Sequence, residues 1–252
     1  MDLELSGKRA LVTGGTRGIG RAIVEALLDE GAEVAFCARK PDEVSATEQA
    51  LSGTGRVLGS VLDVADAPAL TGWVTSTAET FGGLDIVVSN VSALAIPESE
   101  ENWQASFEVD LMGTVRLVTA ALPALQASGA ASVVAVSSVS GREVDFAAGP
   151  YGTMKAALVH YISGLAYQHA AAGIRANVVS PGNTFFEGGV WDSMQTGNPE
   201  LYETALGLNP TGRMGTPQEM ARAVVFLASP ASSFTSGTNL VVDGALTRGV
   251  QL

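Results

Sequence analysis

The chain has 252 residues, of which 46% are hydrophobic and 16% are charged, and its net charge is −12 at pH 7. This length and apolar content suit one globular domain with a large core. The acidic balance and the lack of any basic run or stripe argue against nucleic-acid binding. No apolar run reaches the roughly 18 residues that a membrane span requires.

The single cysteine, Cys37, excludes an internal disulfide and is compatible with the cytoplasm. The N-terminal stretch MDLELSGKRALVTGG begins with acidic residues and has no cleavable apolar core, so we expect no signal peptide. We therefore expect a cytoplasmic protein with no membrane partner and no nucleic-acid partner.

Short apolar strands alternate along the chain with helical patterns. The predicted strands are RALVT (9–13), EVAFC (33–37), RVLGSVL (56–62), DIVVS (85–89), SVVAVS (132–137), IRANVVS (174–180) and NLVVDG (239–244). The predicted helices follow the first strand as far as Gly31, cover about 103–122 and about 150–171, and run from the capping box TPQE (216–219) to about Ala228.

Strands that are apolar throughout are typical of a sheet that is covered on both faces. Strands that are separated by helices imply right-handed crossovers and parallel pairing. The sequence therefore predicts one α/β domain over residues 1–252, a Rossmann-type doubly wound parallel sheet of about seven strands with helices on both faces. Ligands of such sheets bind beyond the carboxyl ends of the strands.

The stretch TGGTRGIG (13–20) lies between the first strand and the first helix. Its glycines, Gly14, Gly18 and Gly20, allow a tight turn, a close approach of the backbone to a ligand, and close packing of the helix on the strand. The N-terminus of the following helix offers unpaired N–H groups to a pyrophosphate. The stretch therefore predicts a dinucleotide site.

The spacing T-G-x-x-x-G-x-G resembles that of the short-chain dehydrogenase/reductase family, of the 3-oxoacyl-carrier-protein-reductase-like type. Asp63 and Val64 stand where the family contacts adenine, and SNVS (89–92) stands where it usually has N-N-A-G. The further matching motifs, in the family's order, are SSVSG (137–141), YGTMK (151–155), SPGNT (180–184), RMGTPQEMARAVVFLAS and SGTNLVVDG. The resemblance thus covers almost the whole chain.

One helix carries a stripe of side chains at helical spacing, namely Tyr151, Lys155, Leu158, Ile162 and Leu165. The last three are core residues, whereas a lysine on the same face can either emerge into solvent over its apolar stem or be buried beside the tyrosine. A phenol titrates near pH 10, and an adjacent ammonium favours its ionised form. The second interpretation therefore gives a pair suited to general acid–base chemistry.

The resemblance implies hydride transfer between the nicotinamide C4 and a carbonyl carbon. Tyr151 would move the proton, Lys155 would tune Tyr151 and bind the nicotinamide ribose, and Ser138 would orient the carbonyl oxygen. Ser137 is the competing serine, and the family pattern selects Ser138. Asp110 stands where the family commonly has an asparagine that helps to hold a relay water, so we include it among the catalytic residues. Either its carboxylate pairs with Lys155 or accepts from that water, or only the backbone geometry matters there.

Residues after the second strand bear on the choice of cofactor. Ala38 stands where an NAD enzyme usually carries an acidic residue that accepts from the ribose 2′-OH. Arg39 and Arg17 can reach a 2′-phosphate, because a guanidinium suits phosphate geometry, although Arg39 can also be a plain surface charge. Asp42 and Glu43 lie farther along and are not our first choice. We expect NADP(H), with NAD as the alternative, and the reducing direction.

We expect no metal site, because His160 and His169 are the only histidines and have no cysteine partner. The full set of predicted cofactor-binding residues is Gly14, Thr16, Arg17, Gly18, Ile19, Gly20, Arg39, Asp63, Val64, Asn90, Tyr151, Lys155, Pro181, Gly182 and Thr184.

The segment 183–214 is predicted to be a substrate-loop insertion. Its larger apolar residues can form a lid over a carbonyl compound, pack the loop itself, or serve a subunit contact: Phe185, Phe186, Trp191, Met194 and Leu201. An oxoacyl thioester, a cyclic ketone, a steroid-like ketone and a sugar derivative all stay open as substrates.

Two alternatives to an NADP(H)-dependent oxidoreductase remain, an NAD-linked alcohol dehydrogenase and a non-catalytic dinucleotide-binding regulator. The resemblance also implies a homotetramer or homodimer, with the helices at 103–122 and 150–171 as the interface.

Overall fold

Seven parallel strands form one sheet in the order β3-β2-β1-β4-β5-β6-β7 in the computed structural model, which describes residues 2–250. The strands are β1 Arg9–Thr13, β2 Glu33–Ala38, β3 Val57–Val61, β4 Ile86–Ser89, β5 Ala131–Val136, β6 Ile174–Pro181 and β7 Asn239–Val242. The predicted doubly wound α/β sheet is confirmed.

Nine α-helices connect the strands in the part of the chain that the structure describes. They are α1 Gly18–Asp29, α2 Pro41–Leu51, α3 Ala67–Phe81, α4 Glu100–Ser106, α5 Gly113–Ser128, α6 Pro150–His169, α7 Val190–Gly197, α8 Pro199–Gly207 and α9 Pro217–Ala228. Residues 2–250 include no helix that combines the length and the apolarity needed to cross a membrane.

Two large apolar clusters cover the two faces of the sheet. One joins the sheet to α1, α2 and α9, and the other joins it to α3, α5 and α6. The strands β1, β2, β4, β5 and β6 are buried almost throughout, as their apolar sequences predict. Full burial is wrong for β3 and β7, which are only partly buried because each lies at an edge and has a single neighbour.

The strand order reverses between β1 and β4, so the loops after these two strands separate and leave a crevice. Such a switch point, beyond the carboxyl ends of the strands, is where open α/β sheets bind ligands. The loop after β1 is the glycine stretch, and the loop after β4 carries SNVS. Both face this crevice.

The helical stretch predicted over about 103–122 is confirmed, but it is longer than predicted and is not α-helical throughout. α4 ends at Ser106, a π-helical segment covers Phe107–Met112, and α5 then continues to Ser128. A pattern of 3.6 residues per turn does not register the wider turn, and such π segments are frequent at functional sites. Here the segment contains Asp110.

Four helices were not predicted, namely α2, α3, α7 and α8. α2 buries only Val44, Thr47 and Leu51, so its apolar periodicity is faint. α3 begins at an N-cap, which apolar periodicity does not register: the Asp66 side chain accepts a hydrogen bond from the Ala69 N–H. α7 and α8 lie within 183–214, the segment predicted to be a substrate-loop insertion.

Candidate active site

The glycine loop has the shape of a phosphate cradle. Gly14 and Gly18 have positive φ angles of 76° and 54°, which L side chains rarely adopt. A Cβ atom on Gly20 would collide with the Gly14 carbonyl oxygen. α1 begins at Gly18 with no capping side chain and no acidic residue in its first turn. Its first N–H groups, including that of Ile19, are therefore available to an anion, and these residues fit a dinucleotide pyrophosphate.

Asn90 fixes this loop against the end of β4. Its side-chain amide donates to the carbonyl oxygens of Thr13 and Gly14 at 3.1 and 3.3 Å, and its backbone N–H donates to the Thr13 hydroxyl at 3.0 Å. Val91 packs beside Gly14, where a Cβ atom would lie 2.9 Å from its side chain. The two loops at the switch point are thus bound to each other.

The remaining predicted cofactor residues lie around the same edge of the sheet. Asp63 accepts from the Ala65 N–H at 3.0 Å, and Val64 is buried. Pro181 ends β6, and the Gly182 N–H donates to the Val242 carbonyl oxygen at 3.0 Å. The Thr184 hydroxyl donates to the Gly182 carbonyl oxygen at 3.1 Å.

Lys155 is buried, with 2% of its side chain exposed, so the solvent-exposed interpretation is wrong. The ammonium donates to the Val136 carbonyl oxygen at 3.1 Å and lies 3.1 Å from Asp110 Oδ1. It lies 5.7 Å from the centre of the Tyr151 ring, within the range of a cation–π contact. Burial opposes its charge, but the attraction of Asp110 and Tyr151 outweighs burial, so the pKa of Lys155 is raised above its ordinary value.

The Asp110 carboxylate connects the loop after β4 to α6. Oδ2 accepts from the Ala93 N–H at 3.1 Å, whereas Oδ1 faces the Lys155 ammonium. Oδ1 receives no well-aligned hydrogen bond among the described residues, so we describe its contact with Lys155 as an ion pair rather than as a hydrogen bond. The side chain of Asp110 is completely buried. Of the two interpretations of Asp110, the structure supports pairing with Lys155.

Ser138 and Ser137 have different environments. The Ser137 hydroxyl donates to the Lys155 carbonyl oxygen at 2.9 Å and is thereby occupied. The Ser138 oxygen accepts from the Ser140 N–H at 3.1 Å, which leaves its hydroxyl proton available. The short 3₁₀ turn Val139–Gly141 packs on α6, because a Cβ atom on Gly141 would lie 2.7 Å from the backbone of Lys155. Ser138 therefore stands beside the helix that carries Tyr151.

These features have counterparts in known proteins. A family model described as Enoyl-(Acyl carrier protein) reductase matches residues 14–247. The chain belongs to the short-chain dehydrogenase/reductase family. It is 41% identical over 257 residues to the isoepoxydon dehydrogenase patN of Penicillium expansum, which covers 98% of this chain and 97% of the relative.

Two further short-chain dehydrogenases/reductases are similar over almost the whole chain. The L-fucose dehydrogenase of Mus musculus is 38% identical over 252 residues, covering 97% of this chain and 90% of the relative. The crystal structure of the L-sorbose reductase of Gluconobacter frateurii, complexed with NADPH and L-sorbose, superimposes with a TM-score of 0.91 at 28% identity, covering 99% of this chain and 100% of that one.

The SNVS loop, where this short-chain dehydrogenase/reductase departs from the family's usual N-N-A-G, is strained next to Asp110. Leu94 has a positive φ of 50°, which is rare for a residue with a branched side chain. The Ser92 hydroxyl accepts from the Leu94 N–H at 3.1 Å and supports this turn. The preceding residue, Ala93, is the one that donates to Asp110.

The segment 183–214 reaches both the glycine loop and the entrance of the site. The Phe186 ring lies on Gly18, where a Cβ atom would be 2.5 Å from it, and the Arg17 guanidinium donates to the Gly188 carbonyl oxygen at 3.4 Å. Trp191 packs edge-on against Phe146, with ring centres 5.8 Å apart. The segment is therefore in contact with the predicted cofactor site.

Glu43, which is not our first choice from the sequence, lies beside the glycine loop. Its carboxylate accepts from the Thr16 hydroxyl at 3.2 Å and from the Lys40 ammonium at 2.7 Å. Its position in the sequence suggests a residue far along the next loop, but α2 begins at Pro41 and turns the side chain back toward the glycine stretch. The proline at the start of α2 was the available signal.

Proposed function

We propose that this protein is an NADP(H)-dependent oxidoreductase that interconverts a carbonyl and a secondary alcohol through Ser138, Tyr151 and Lys155. The observation that carries the proposal is the buried Lys155 ammonium, held by Asp110 and the Val136 carbonyl oxygen next to Tyr151. Burying a charge is costly, and such arrangements cluster at functional sites. The site also lies beyond the carboxyl ends of the strands, where the family binds its ligands.

The bound nicotinamide supplies the hydride in reduction and accepts it in oxidation. In the reducing direction the Tyr151 hydroxyl gives its proton to the carbonyl oxygen, which becomes the alcohol hydroxyl. The free hydroxyl proton of Ser138 donates a hydrogen bond to the same oxygen and stabilises its developing charge. The Lys155 ammonium stabilises the phenolate that Tyr151 becomes. Asp110 keeps the ammonium in place.

Three observations support NADP(H) over NAD. Ala38 ends β2 and offers no carboxylate to a ribose 2′-OH. Arg17 and Arg39 are exposed near this end of β2 and the glycine loop. The similar L-sorbose reductase was crystallised with NADPH. An NAD-linked alcohol dehydrogenase is the second candidate.

We propose a small hydroxylated ring or sugar-like compound as the substrate. The printed names of the similar proteins, isoepoxydon dehydrogenase, L-fucose dehydrogenase and L-sorbose reductase, favour this class over a steroid-like ketone or an oxoacyl thioester. The exposed ring of Phe146, supported edge-on by the buried Trp191, offers a flat apolar face on which a ring can lie. In this proposal the segment 183–214 forms the substrate side of the site.

We also propose a homotetramer that works in the cytoplasm. Tyr167, on α6, is 90% exposed, which is unusual for so large an aromatic side chain and supports this helix as a subunit interface. Cys37 is a free, buried thiol whose pKa is raised to about 12 by burial, so it is unreactive and compatible with a reducing compartment. Light scattering at micromolar concentration tests the assembly, and a monomer would contradict it.

The experiment combines nucleotide titration with a Tyr151→Phe variant. Wild-type protein should bind NADPH more tightly than NADH, as followed by nicotinamide fluorescence, and should reduce cyclic hydroxyketones or ketoses. The variant should bind NADPH with unchanged affinity but lose about 10²–10⁴-fold in kcat, because only the transferred proton is removed. Full activity in the variant would overturn the mechanism, and the absence of turnover in both proteins would favour a non-catalytic dinucleotide-binding regulator.

A further inference from the structure

The Glu43 carboxylate lies among the positively charged residues of the predicted cofactor site. Glu43 receives hydrogen bonds from Thr16, which lies in the glycine loop, and from Lys40, which precedes α2. The Lys40 ammonium is the closer partner, with 2.7 Å between nitrogen and oxygen. Glu43 thus links the start of α2 to the glycine loop.

The surroundings of Glu43 are positively charged. The hydrogen bond from Lys40 lowers the pKa of Glu43 most, burial opposes this, and the Thr16 hydroxyl and the Arg17 charge lower it further. Glu43 is therefore ionised at neutral pH. Together with Arg39, the cations Lys40 and Arg17 are the groups near the end of β2 that can pair with a phosphate.

We propose that Glu43 determines the selectivity for the cofactor by acting as a built-in competitor of the 2′-phosphate. The carboxylate holds Lys40 and Thr16 in the absence of cofactor, and a 2′-phosphate has to take Lys40 from it. A ribose with a free 2′-hydroxyl does not compete for a cation and is not repelled. The inference rests on the proposed function, because it assumes that the adenosine ribose binds beside Glu43.

The size of the effect follows from the charges. A carboxylate and a phosphate of about −1.5 to −2 charges that compete for the same ammonium near water repel each other enough to weaken binding about tenfold. Removing the charge of Glu43 while keeping its shape should therefore strengthen binding of NADPH about tenfold and leave that of NADH within about twofold. Glutamine can still accept from the Thr16 hydroxyl, so the glycine loop keeps its support.

The test is calorimetric titration of the wild-type protein and the Glu43→Gln variant with NADPH, NADH and 2′,5′-ADP. Asp42→Asn is the matched control. Asp42 is an exposed acidic residue in the same first turn of α2, and its side chain makes no hydrogen bond to the glycine loop in the described residues. We expect Glu43→Gln to lower the Kd of NADPH and of 2′,5′-ADP about tenfold, and Asp42→Asn to change either Kd less than threefold.

The other outcomes are decisive as well. An unchanged or weaker affinity of Glu43→Gln for NADPH would overturn the inference and leave the proposed function standing. Loss of NADH binding in this variant would also overturn it, since Glu43 would then be the acceptor of the ribose 2′-hydroxyl. If the wild-type protein bound neither dinucleotide, the proposed function would fail and the inference with it.

Discussion

The Lys155 ammonium and the Asp110 carboxylate form an ion pair of 3.1 Å in the protein interior, with 2% and 0% of their side chains exposed. The two residues come from α6 and from the π-helical segment before α5. Removing one partner of such a pair leaves an uncompensated buried charge, which is much more costly than losing a surface pair. The Asp110 carboxylate therefore helps to keep Lys155 protonated in the predicted catalytic helix.

Asp110→Asn should lower the pH above which activity is lost. Asp110 helps to raise the pKa of Lys155, so in the wild-type protein the ammonium persists as the pH rises until that raised pKa is reached. In the variant, burial dominates, the pKa of Lys155 falls, and kcat/KM should decline at lower pH than in the wild type. Profiles between pH 7 and 11 measure this. Glu108 lies in the same π segment and is half-buried, and it pairs with Arg116 of α5. Glu108→Gln should therefore not move the alkaline limb of the profile.

Ser138→Ala should lower kcat, whereas Ser137→Ala should lower the free energy of unfolding. The Ser138 hydroxyl proton has no protein acceptor in the described residues, so losing it should lower kcat about 10²–10³-fold. Ser137 donates to a helix carbonyl, so its removal should cost about 1 kcal/mol of unfolding free energy and leave kcat within a few-fold. Rate assays and urea unfolding test both variants. The reverse pattern would assign the substrate contact to Ser137.

Gly20→Ala should damage the glycine loop, because the added Cβ atom would collide with the Gly14 carbonyl oxygen and the Asn90 amide. We expect a loss of about 1–3 kcal/mol of unfolding free energy, together with loss of dinucleotide binding. Gly72→Ala is the control: it lies in α3 with nothing within 4 Å of an added Cβ and should stabilise the protein by about 0.5–1 kcal/mol. Equal melting temperatures for the two variants would contradict the prediction.

Phe146→Ala should raise KM about threefold to tenfold for a ring substrate, since Phe146 packs edge-on against Trp191 at the proposed pocket. Its melting temperature should change little, because the side chain is 56% exposed. Phe234→Ala provides a control. Phe234 is fully exposed and lines a cavity with Ile174, which is at the start of β6, whereas the proposed site lies beyond the other end of this strand. A KM that rises equally in both variants would point to a general loss of folding.

The order of the strands could be predicted from the sequence because the central strands are buried on both faces and therefore apolar throughout. The glycine loop could also be predicted from the sequence, because the backbone at Gly14 and Gly18 has positive φ angles that favour glycine. The edge strands and polar helices were harder, because partial burial leaves a weak pattern. β7 and α2 are the clearest cases.

The details of the site depend on contacts between distant segments, which no local pattern encodes. The burial of Lys155 results from Asp110, 45 positions earlier, approaching it through a π-helical turn. Glu43 reaches Thr16 only because β2 brings the start of α2 beside the glycine loop. Spacing along the chain placed Ser138, Tyr151 and Lys155 in order, but it did not identify what surrounds them.

The segment after β6 has a small apolar cluster of its own, formed by Trp191, Ala205 and Met214 and separate from the two clusters that cover the sheet. Mutations in this cluster are therefore largely insulated from the residues that hold the strands together. Such independence lets side chains of the segment change without disturbing the sheet. A fold of this kind can therefore accept different substrates by changes in one segment, and the relatives of this chain carry the names of different substrates, isoepoxydon and L-fucose.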